Sequence, residues 1–142
     1  MKIRQATTSK EKDDAYSVRT IVFVKEQHVP PEVEIDEYDE TAAIHLIGYE
    51  NDEPIAASRV RFTDNCGKLE RICVLHNQRG KSRGSQMIQA MESLIKENGY
   101  KKAKLNAQTH AIEFYRRLGY EVVSDEFMDA GIPHVTMVKT LT

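Results

Sequence analysis

The spacing of apolar residues along the chain switches between the helical period of about 3.6 and the strand period of two. A capping-box sequence at Thr8 and Glu11 predicts the start of a first helix, whose apolar face continues to about Val24. Further helices are predicted over residues 84–98 and 109–118, each followed by a glycine suited to a helix end. Period-two segments predict strands over residues 2–6, 43–50, 55–63, 68–75, 101–107, 120–127 and 132–140.

The resulting order of elements is β-α-β-β-β-α-β-α-β-β, which predicts a mixed α/β fold with a central sheet and helices on its faces. Residues 28–38 interrupt this order. Pro30 and Pro31 exclude a regular helix there, so we predict a loop or a broken turn. No repeat or low-complexity linker divides the chain, and we therefore expect residues 1–142 to form a single domain.

The composition favours a globular protein, with 40% hydrophobic and 30% charged residues among 142. No apolar run approaches the ~18 residues that a membrane span requires, and the first residues lack the apolar core of a signal peptide. Cys66 and Cys73 lie too close together to staple a fold, and their spacing from the histidines resembles no metal site. We therefore expect a cytoplasmic protein with reduced thiols and no metal.

The net charge of −2 hides an uneven distribution of charged residues. Residues 26–58 contain ten acidic residues and no lysine or arginine, whereas residues 65–117 have a balance of +7. Nucleic-acid binding by the basic stretch is disfavoured, because no set of aromatic side chains accompanies the charge. The opposite charges favour two half-sites instead, one for an anionic group and one for a cationic group.

The segment from Val74 to Ser85 links a predicted strand to a predicted helix and has the composition of an anion-binding loop. Small residues allow the backbone to turn tightly, and the first N–H groups of a helix attract an anion. Arg79, Lys81 and Arg83 add positive charge that suits a pyrophosphate. A basic, exposed loop without a ligand is the alternative, and the segment matches neither the P-loop nor the Rossmann pattern.

Two motifs resemble those of the GNAT acetyltransferases. Arg79-x-x-Ser82-x-Gly84 resembles motif A, usually Gln/Arg-x-x-Gly-x-Gly/Ala, with Ser82 where the first glycine is usual. Residues 111–121 are similar to motif B, usually Ala-x-x-x-Tyr-x-x-x-Gly-Phe, and Gln108 stands where the family usually has asparagine. Further stretches within residues 19–134 resemble the ElaA/YjcF-like branch of this superfamily, so the resemblance covers nearly the whole chain.

The resemblance implies the GNAT acyl-CoA N-acyltransferase fold, with a central sheet that splays apart to admit the pantetheine arm. It implies an N-acetyltransferase that moves an acetyl group from acetyl-CoA to a primary amine, of a small molecule or a peptide, by direct attack in a ternary complex. The residues implied in acetyl-CoA binding are Ile72, Cys73 and Val74 through their main chain, Arg79, Gly80, Lys81, Ser82, Arg83, Gly84 and Ser85 around the pyrophosphate, and Gln108 beside the pantetheine.

The reaction requires two proton transfers. An amine must lose a proton before it attacks, and the departing thiolate gains from an acid. Tyr115 matches the family's usual general acid, although a tyrosine that only packs beside Phe114 would match the same pattern.

We predict Glu70 as the base, because strand alternation places it on one face with Ile72 and Val74, beside the splay. A solvated carboxylate paired with a neighbouring cation is the alternative interpretation of Glu70. Glu26 and His134 are the other candidates for the base.

The resemblance places the first helix and the acidic loop on the acceptor side. Carboxylates there would favour a cationic amine, and a solvated loop without a ligand is the alternative. The residues predicted to contact the acceptor are Arg19, Glu26, His110 and His134.

A different class of function also fits the two departures from the motifs, Ser82 for glycine and Gln108 for asparagine. It is a non-catalytic module that binds an acyl-CoA as a sensor or interaction protein. Two copies could also pair as a homodimer through the C-terminal strands. The sequence does not identify the amine acceptor.

Overall fold

In a computed structural model that describes residues 1–41 and 43–142, the chain forms an eight-stranded sheet with helices on both faces. The strands are β1 (Lys2–Gln5), β2 (Ile44–Glu50), β3 (Glu53–Thr63), β4 (Cys66–Val74), β5 (Lys102–Gln108), β6 (Glu121–Val122), β7 (Phe127–Asp129) and β8 (Ile132–Thr140). The α-helices are α1 (Ser9–Arg19), α2 (Pro31–Glu34), α3 (Tyr38–Thr41), α4 (Arg83–Glu97) and α5 (Ile112–Arg117). The predicted mixed α/β fold is confirmed. Within the described ranges, no helix is both long and apolar enough to cross a membrane.

The sheet is interrupted at its centre. Its strands follow the order β1-β2-β3-β4-β5-β8-β6, with β7 also paired to β8, and only the β4–β5 pair is parallel among the described pairs. This parallel pair extends from Gly67 and Ala103 to Leu69 and Leu105. Both strands continue beyond that point without pairing to each other, so the splay that the resemblance implied is present.

A β-bulge in β4 lies where the two central strands separate. Ala57 of β3 pairs with Cys73 and Arg59 pairs with Glu70, which leaves two residues of β4 opposite one residue of β3. The first of these two, Arg71, has a φ of 55°, in the left-handed region. Because a bulge bends its strand and increases the local twist, it turns the end of β4 away from β5.

The bulge also reverses the alternation of side chains along β4. Leu69 and Val74 pack in the same buried cluster. In a regular strand they would lie on opposite faces, because they are an odd number of residues apart. Ile72 packs with this cluster too. Glu70 follows Leu69 and lies on the other face. The prediction that Glu70 shares a face with Ile72 and Val74 is therefore wrong.

Two apolar clusters attach the long helices to the sheet. On one face, α4 buries the apolar positions predicted from its periodicity, including Met87, Met91 and Ile95. Gly67 allows this close packing, since a Cβ atom there would lie 2.3 Å from Ile95 Cγ1. On the other face, α1 packs Val18 and its neighbours against the sheet.

The first helix differs from its predicted form at its C-terminal end. Its capping box is present, with Glu11 N donating to Thr8 Oγ1 at 3.1 Å. The α-helix ends at Arg19 and continues as a π-helix over Thr20–Glu26. Such wider turns are rare, and they are frequently found at functional sites.

Two other predicted elements are corrected. Residues 30–41, predicted in part as a loop or a broken turn, hold the one-turn helices α2 and α3. Helix α2 can begin at Pro31 because a proline is tolerated at the first helical position. The strand predicted over residues 120–127 is divided into β6 and β7. Between them, Thr136 N donates to Ser124 Oγ at 2.8 Å rather than to a strand carbonyl, which interrupts the ladder.

Candidate functional site

The separation of β4 and β5 opens two adjoining cavities. The large cavity, of about 910 Å³, lies between the end of β4, the N-terminus of α4 and α5. The small cavity, of about 250 Å³, lies beside the bulge and the end of β5. Residues that line both cavities mark their junction: Gln27, Ile72, Gln108, His110, Ala111 and Tyr115. Two ligands, one in each cavity, would therefore meet at this junction.

The large cavity is bounded by the loop that resembles motif A. Of the residues implied in acetyl-CoA binding, all line this cavity except Lys81, which is exposed. Ser82 has a φ of 60°, the left-handed conformation that glycine, the usual residue of the motif, adopts without a steric penalty. Its side chain does not cap α4, so the first N–H groups of the helix can bind an anion.

The arginines beside the large cavity are already paired with carboxylates. Arg79 forms a bidentate ion pair with Glu26, at 2.6 and 2.9 Å, and its Nε donates to Val74 O at 2.9 Å. Arg83 Nη2 lies 3.2 Å from Glu50 Oε2, which also contacts the N-terminal amine at 2.9 Å. An anion in this cavity would compete with Glu26 and Glu50 for the two guanidinium groups.

Tyr115 lies on α5 at the junction of the two cavities. Its ring contacts Phe114 and Tyr120 edge-on, with centroids 5.1 and 6.0 Å away. Burial raises the pKa of the Tyr115 hydroxyl to about 12, so the group is protonated at neutral pH. The ring of Tyr115 is therefore packed among aromatic side chains, and its hydroxyl carries a proton beside the cavities.

Gln108 connects three segments at the same junction. Its Nε2 donates to Gln27 Oε1 at 3.0 Å, and its Oε1 lies 2.6 Å from His110 Nε2. Sequence reasoning missed Gln27, which follows the π-helix directly. Its place beside Glu26, in a stretch that resembles the ElaA/YjcF-like branch, was the available signal.

The carboxylate of Glu70 borders the small cavity but is held by cations. Arg59 Nη2 and Arg61 Nε each donate to its Oε1 at 2.8 Å, and Lys68 Nζ lies 3.4 Å from its Oε2. Burial disfavours the charged form, but the hydrogen bond from Arg61 and the charge of Arg59 prevail and lower the Glu70 pKa to about 2. A carboxylate with so little affinity for a proton suits the predicted role of base poorly.

Three acidic residues in and between α2 and α3, namely Glu34, Asp36 and Asp39, are held in a largely buried ion-pair network. Arg19 is fully buried and contacts Glu34 at 2.6 Å and Asp39 at 2.7 Å. Arg59 contacts Asp39 at 3.0 Å and Asp36 at 2.6 Å. Arg19 lines neither cavity, so its predicted contact with the acceptor is corrected to a structural role. The alternative of a solvated loop is corrected as well.

Arg71 joins this network to the bulge. Its Nε donates to Glu34 O at 3.1 Å, and its Nη2 lies 3.3 Å from Asp36 Oδ2. Arg59, Arg61 and Arg71 match no motif in the sequence. Their position within strands, where apolar residues are usual, is a signal that they would need buried acidic partners.

The two histidines predicted to contact the acceptor occupy different environments. His110 is exposed at the junction of the cavities. His134 is buried, lines the small cavity, and stands opposite Gln108 in the ladder between β5 and β8. Its Nδ1 lies 2.7 Å from Ile132 O. Glu26 lines the large cavity, where it pairs with Arg79.

The parallel strands that splay apart, together with the uncapped helix N-terminus beside them, define the acyl-CoA N-acyltransferase class of fold. A family model described as acetyltransferase (GNAT) domain matches residues 8–141. The chain belongs to the GNAT acetyltransferase family, and the protein is an acyltransferase.

Related proteins agree with this assignment over the whole chain. The chain is 46% identical over 140 residues to a Bacillus subtilis protein named uncharacterized N-acetyltransferase YjcF, covering 98% of this chain and 99% of that one. A solved Lactobacillus plantarum structure superposes with a TM-score of 0.93 at 28% identity, covering 99% of this chain and 98% of that chain. Escherichia coli ElaA superposes with a TM-score of 0.87 at 26% identity, covering 97% and 98%. The resemblance to the ElaA/YjcF-like branch is confirmed.

Replacement of Ser82 by glycine is expected to stabilise the protein. Glycine adopts the observed φ of 60° without the steric penalty of a Cβ atom, so Ser82→Gly should raise the free energy of unfolding by up to ~1 kcal/mol. Ser85→Gly, inside the first turn of α4, is the matched control and should lower it by roughly 0.5 kcal/mol. Urea unfolding measures the free energy of unfolding of both variants. An equal decrease in the two variants would refute the strain at Ser82.

Removal of the buried Arg59 guanidinium is expected to destabilise the protein strongly. Arg59→Met leaves Asp36, Asp39 and Glu70 with fewer partners, and the free energy of unfolding at pH 7 should fall by ~3–5 kcal/mol. Burial opposes the charge on Asp39, but hydrogen bonds from Arg19, Asp36 N and Arg59 hold its pKa well below the ordinary value. The charged carboxylates of Asp39 and Glu70, whose pKa values are both lowered, stabilise the folded protein above about pH 4. This contribution is lost as the pH falls further.

The difference between Arg59→Met and the wild type should therefore shrink in acid. Arg4→Met is the control, because Arg4 is 61% exposed in its ion pair with Glu11 and should contribute less than ~1 kcal/mol. Urea unfolding at several pH values tests the pair. Equal, small effects of both variants would contradict the buried network.

Proposed function

We propose that the protein transfers an acetyl group from acetyl-CoA to a primary amine, with both substrates bound at once. The observation that carries this proposal is the junction at Tyr115, where a large cavity suited to the donor meets a small cavity suited to the acceptor. A ternary complex requires two such sites that share one reacting point, because direct transfer brings amine and thioester together.

The large cavity fits the donor in size and in chemistry. Its volume of about 910 Å³ falls within the range of cofactor sites. The described pairing of β4 with β5 ends at Leu69, and the main chain of β4 beyond it suits the amides of a pantetheine arm, which would compete with Arg79 Nε for Val74 O. The loop from Arg79 to Ser85, with the N–H groups at the start of α4, would hold the pyrophosphate.

Acetyl-CoA supplies an activated acetyl group on a thioester. Tyr115 is our candidate for the group that protonates the departing sulfur, because its high pKa keeps it protonated until a thiolate develops beside it. Gln108, held by Gln27 and His110, would orient the donor next to Tyr115. The small cavity would hold the amine within reach of the same junction.

A thiol-release assay with acetyl-CoA and a panel of small amines, polyamines and peptides tests the proposal. We expect thiol release that depends on an amine and equals the amount of acetylated amine found by mass spectrometry. Tyr115→Phe should lower kcat by about 10²–10⁴ and leave the KM values little changed, because it removes only the proton donor.

Two results would contradict these assignments. Binding of acetyl-CoA without turnover of any amine would favour the alternative of a non-catalytic acyl-CoA-binding module. Full activity of Tyr115→Phe across the pH range would remove Tyr115 from the mechanism while leaving the proposed reaction intact.

The ion pair between Glu26 and Arg79 leads us to a second prediction, which concerns the KM for acetyl-CoA. Glu26→Gln removes a charge that competes for Arg79, so the KM for acetyl-CoA should fall, by up to about fivefold. Arg79→Ala should raise it. Glu97→Gln, at the exposed end of α4, is the matched control and should have no effect. If Glu26→Gln raises only the amine KM, Glu26 binds the acceptor as the sequence predicted.

A further inference from the structure

His134 has the environment of a base for the acceptor amine. It lies on β8 with 8% of its surface exposed, and it lines the small cavity together with Tyr115. Its ring stacks on Phe127, with centroids 6.1 Å apart, so packing fixes its plane. In the β5–β8 ladder it faces Gln108, which belongs to the junction. A base at this position would stand where the amine meets the donor.

The hydrogen bond to Ile132 determines which ring nitrogen can accept a proton. Nδ1 lies 2.7 Å from the Ile132 carbonyl oxygen, which can only accept, so Nδ1 must carry the hydrogen. In the neutral ring the lone pair is then on Nε2. Within the described part of the chain Nε2 has no hydrogen-bond partner, and it is not among the buried unpartnered atoms. Nε2 is therefore open to a ligand.

The other candidate bases are engaged elsewhere. Glu70 is held by Arg59 and Arg61, and Glu26 is held by Arg79. His110 is exposed, and its Nε2 is 2.6 Å from Gln108 Oε1. His134 is thus the group beside the small cavity that combines burial with an available basic nitrogen.

We propose that His134 Nε2 takes the proton from the acceptor amine. This proposal rests on the acetyl transfer proposed above and names a further catalytic residue for it. A neutral imidazole with its lone pair on Nε2 is the form that a general base requires, and the hydrogen bond from Nδ1 to Ile132 O leaves the lone pair there.

The proton balance of the reaction is complete with these two groups. The ammonium first loses one proton to His134 Nε2, which passes it to water. The C–N bond then forms while the C–S bond breaks, and the sulfur takes the Tyr115 proton. The nitrogen loses its second proton, which restores Tyr115 through water. One proton is released for each acetyl group transferred.

Several charged groups surround His134 from the elements packed against it. Asp129 of β7, Arg71 of β4 and Glu34 of α2 line a third, smaller cavity with it. Glu70 and Lys68 of β4, His110 after β5 and Tyr115 of α5 line the small cavity with it. Because so many charged and polar groups share its surroundings, an effect of pH on turnover would not be specific to His134. The test therefore varies the pKa of the amine rather than the pH.

The test compares His134→Asn with the wild type on ethylamine and 2,2,2-trifluoroethylamine at about pH 7. Asparagine retains an N–H donor for the Ile132 carbonyl but has no basic nitrogen. Ethylamine is almost fully protonated, whereas the fluorine atoms leave trifluoroethylamine largely neutral. We expect kcat/KM to fall ~10²-fold or more with ethylamine and less than about tenfold with trifluoroethylamine.

His28→Asn is the matched control, because His28 is exposed, lines none of these cavities, and has a φ of 62° that asparagine also adopts. It should act like the wild type on both amines. If the wild type is active and His134→Asn lowers kcat/KM equally with both amines, the role of His134 is overturned. The proposed acetyl transfer would then still stand. A wild type that acetylates neither amine, and none of the panel above, would overturn the proposed function and this proposal with it.

A second measurement does not depend on turnover. Nitrogen-15 NMR of the imidazole should show the neutral His134 ring with its hydrogen on Nδ1. A hydrogen on Nε2 would overturn the proposal whatever the activity of the protein.

Discussion

The bulge at Arg71 is the constraint on which the rest of the site depends. It ends the pairing of the two central strands and reverses the alternation of side chains in β4. A left-handed φ costs a non-glycine residue ~1–3 kcal/mol, and bonds from the Arg71 guanidinium to Glu34 and Asp36 offset part of that penalty. The two cavities follow from this one irregularity, since a regular parallel pair would close the gap between β4 and β5.

The same guanidinium links the opening of the sheet to the small cavity. Arg71 belongs to the ion-pair network that holds α2 and α3 against β3 and β4. A shift of α2 or α3 would separate these buried ion pairs, and a buried charge without its partner is strongly destabilising. The network therefore holds the two helices in one position. The walls of the small cavity are therefore positioned by long-range pairs and by the apolar core together.

The sequence predicted the regular elements and the large cavity much better than the small one. Helical and strand periods located α4 and β8, and motif A identified the loop around Ser82, because these signals are local. The bulge has no comparable signal, since its left-handed residue is an arginine and not a glycine. Without it, strand alternation assigned Glu70 to the wrong face. The partners of Arg19 lie 15 and 20 residues away in the chain, so only the folded structure identifies them.

The network also changes the electrostatics expected beside the small cavity. The acidic stretch first suggested a negative surface that attracts a cationic amine. Three of its carboxylates, Glu34, Asp36 and Asp39, form one network with Glu70 of β4. The network pairs these four with five cations, namely Arg19, Arg59, Arg61, Lys68 and Arg71.

The charge of this network is therefore slightly positive. Positive neighbours lower the pKa of an ammonium group, because like charges disfavour its charged form. An amine beside Glu70 and Arg71 would lose its proton more readily than in water. Reduced attraction for the cation is thus offset by easier formation of the neutral nucleophile, which is the form that attacks.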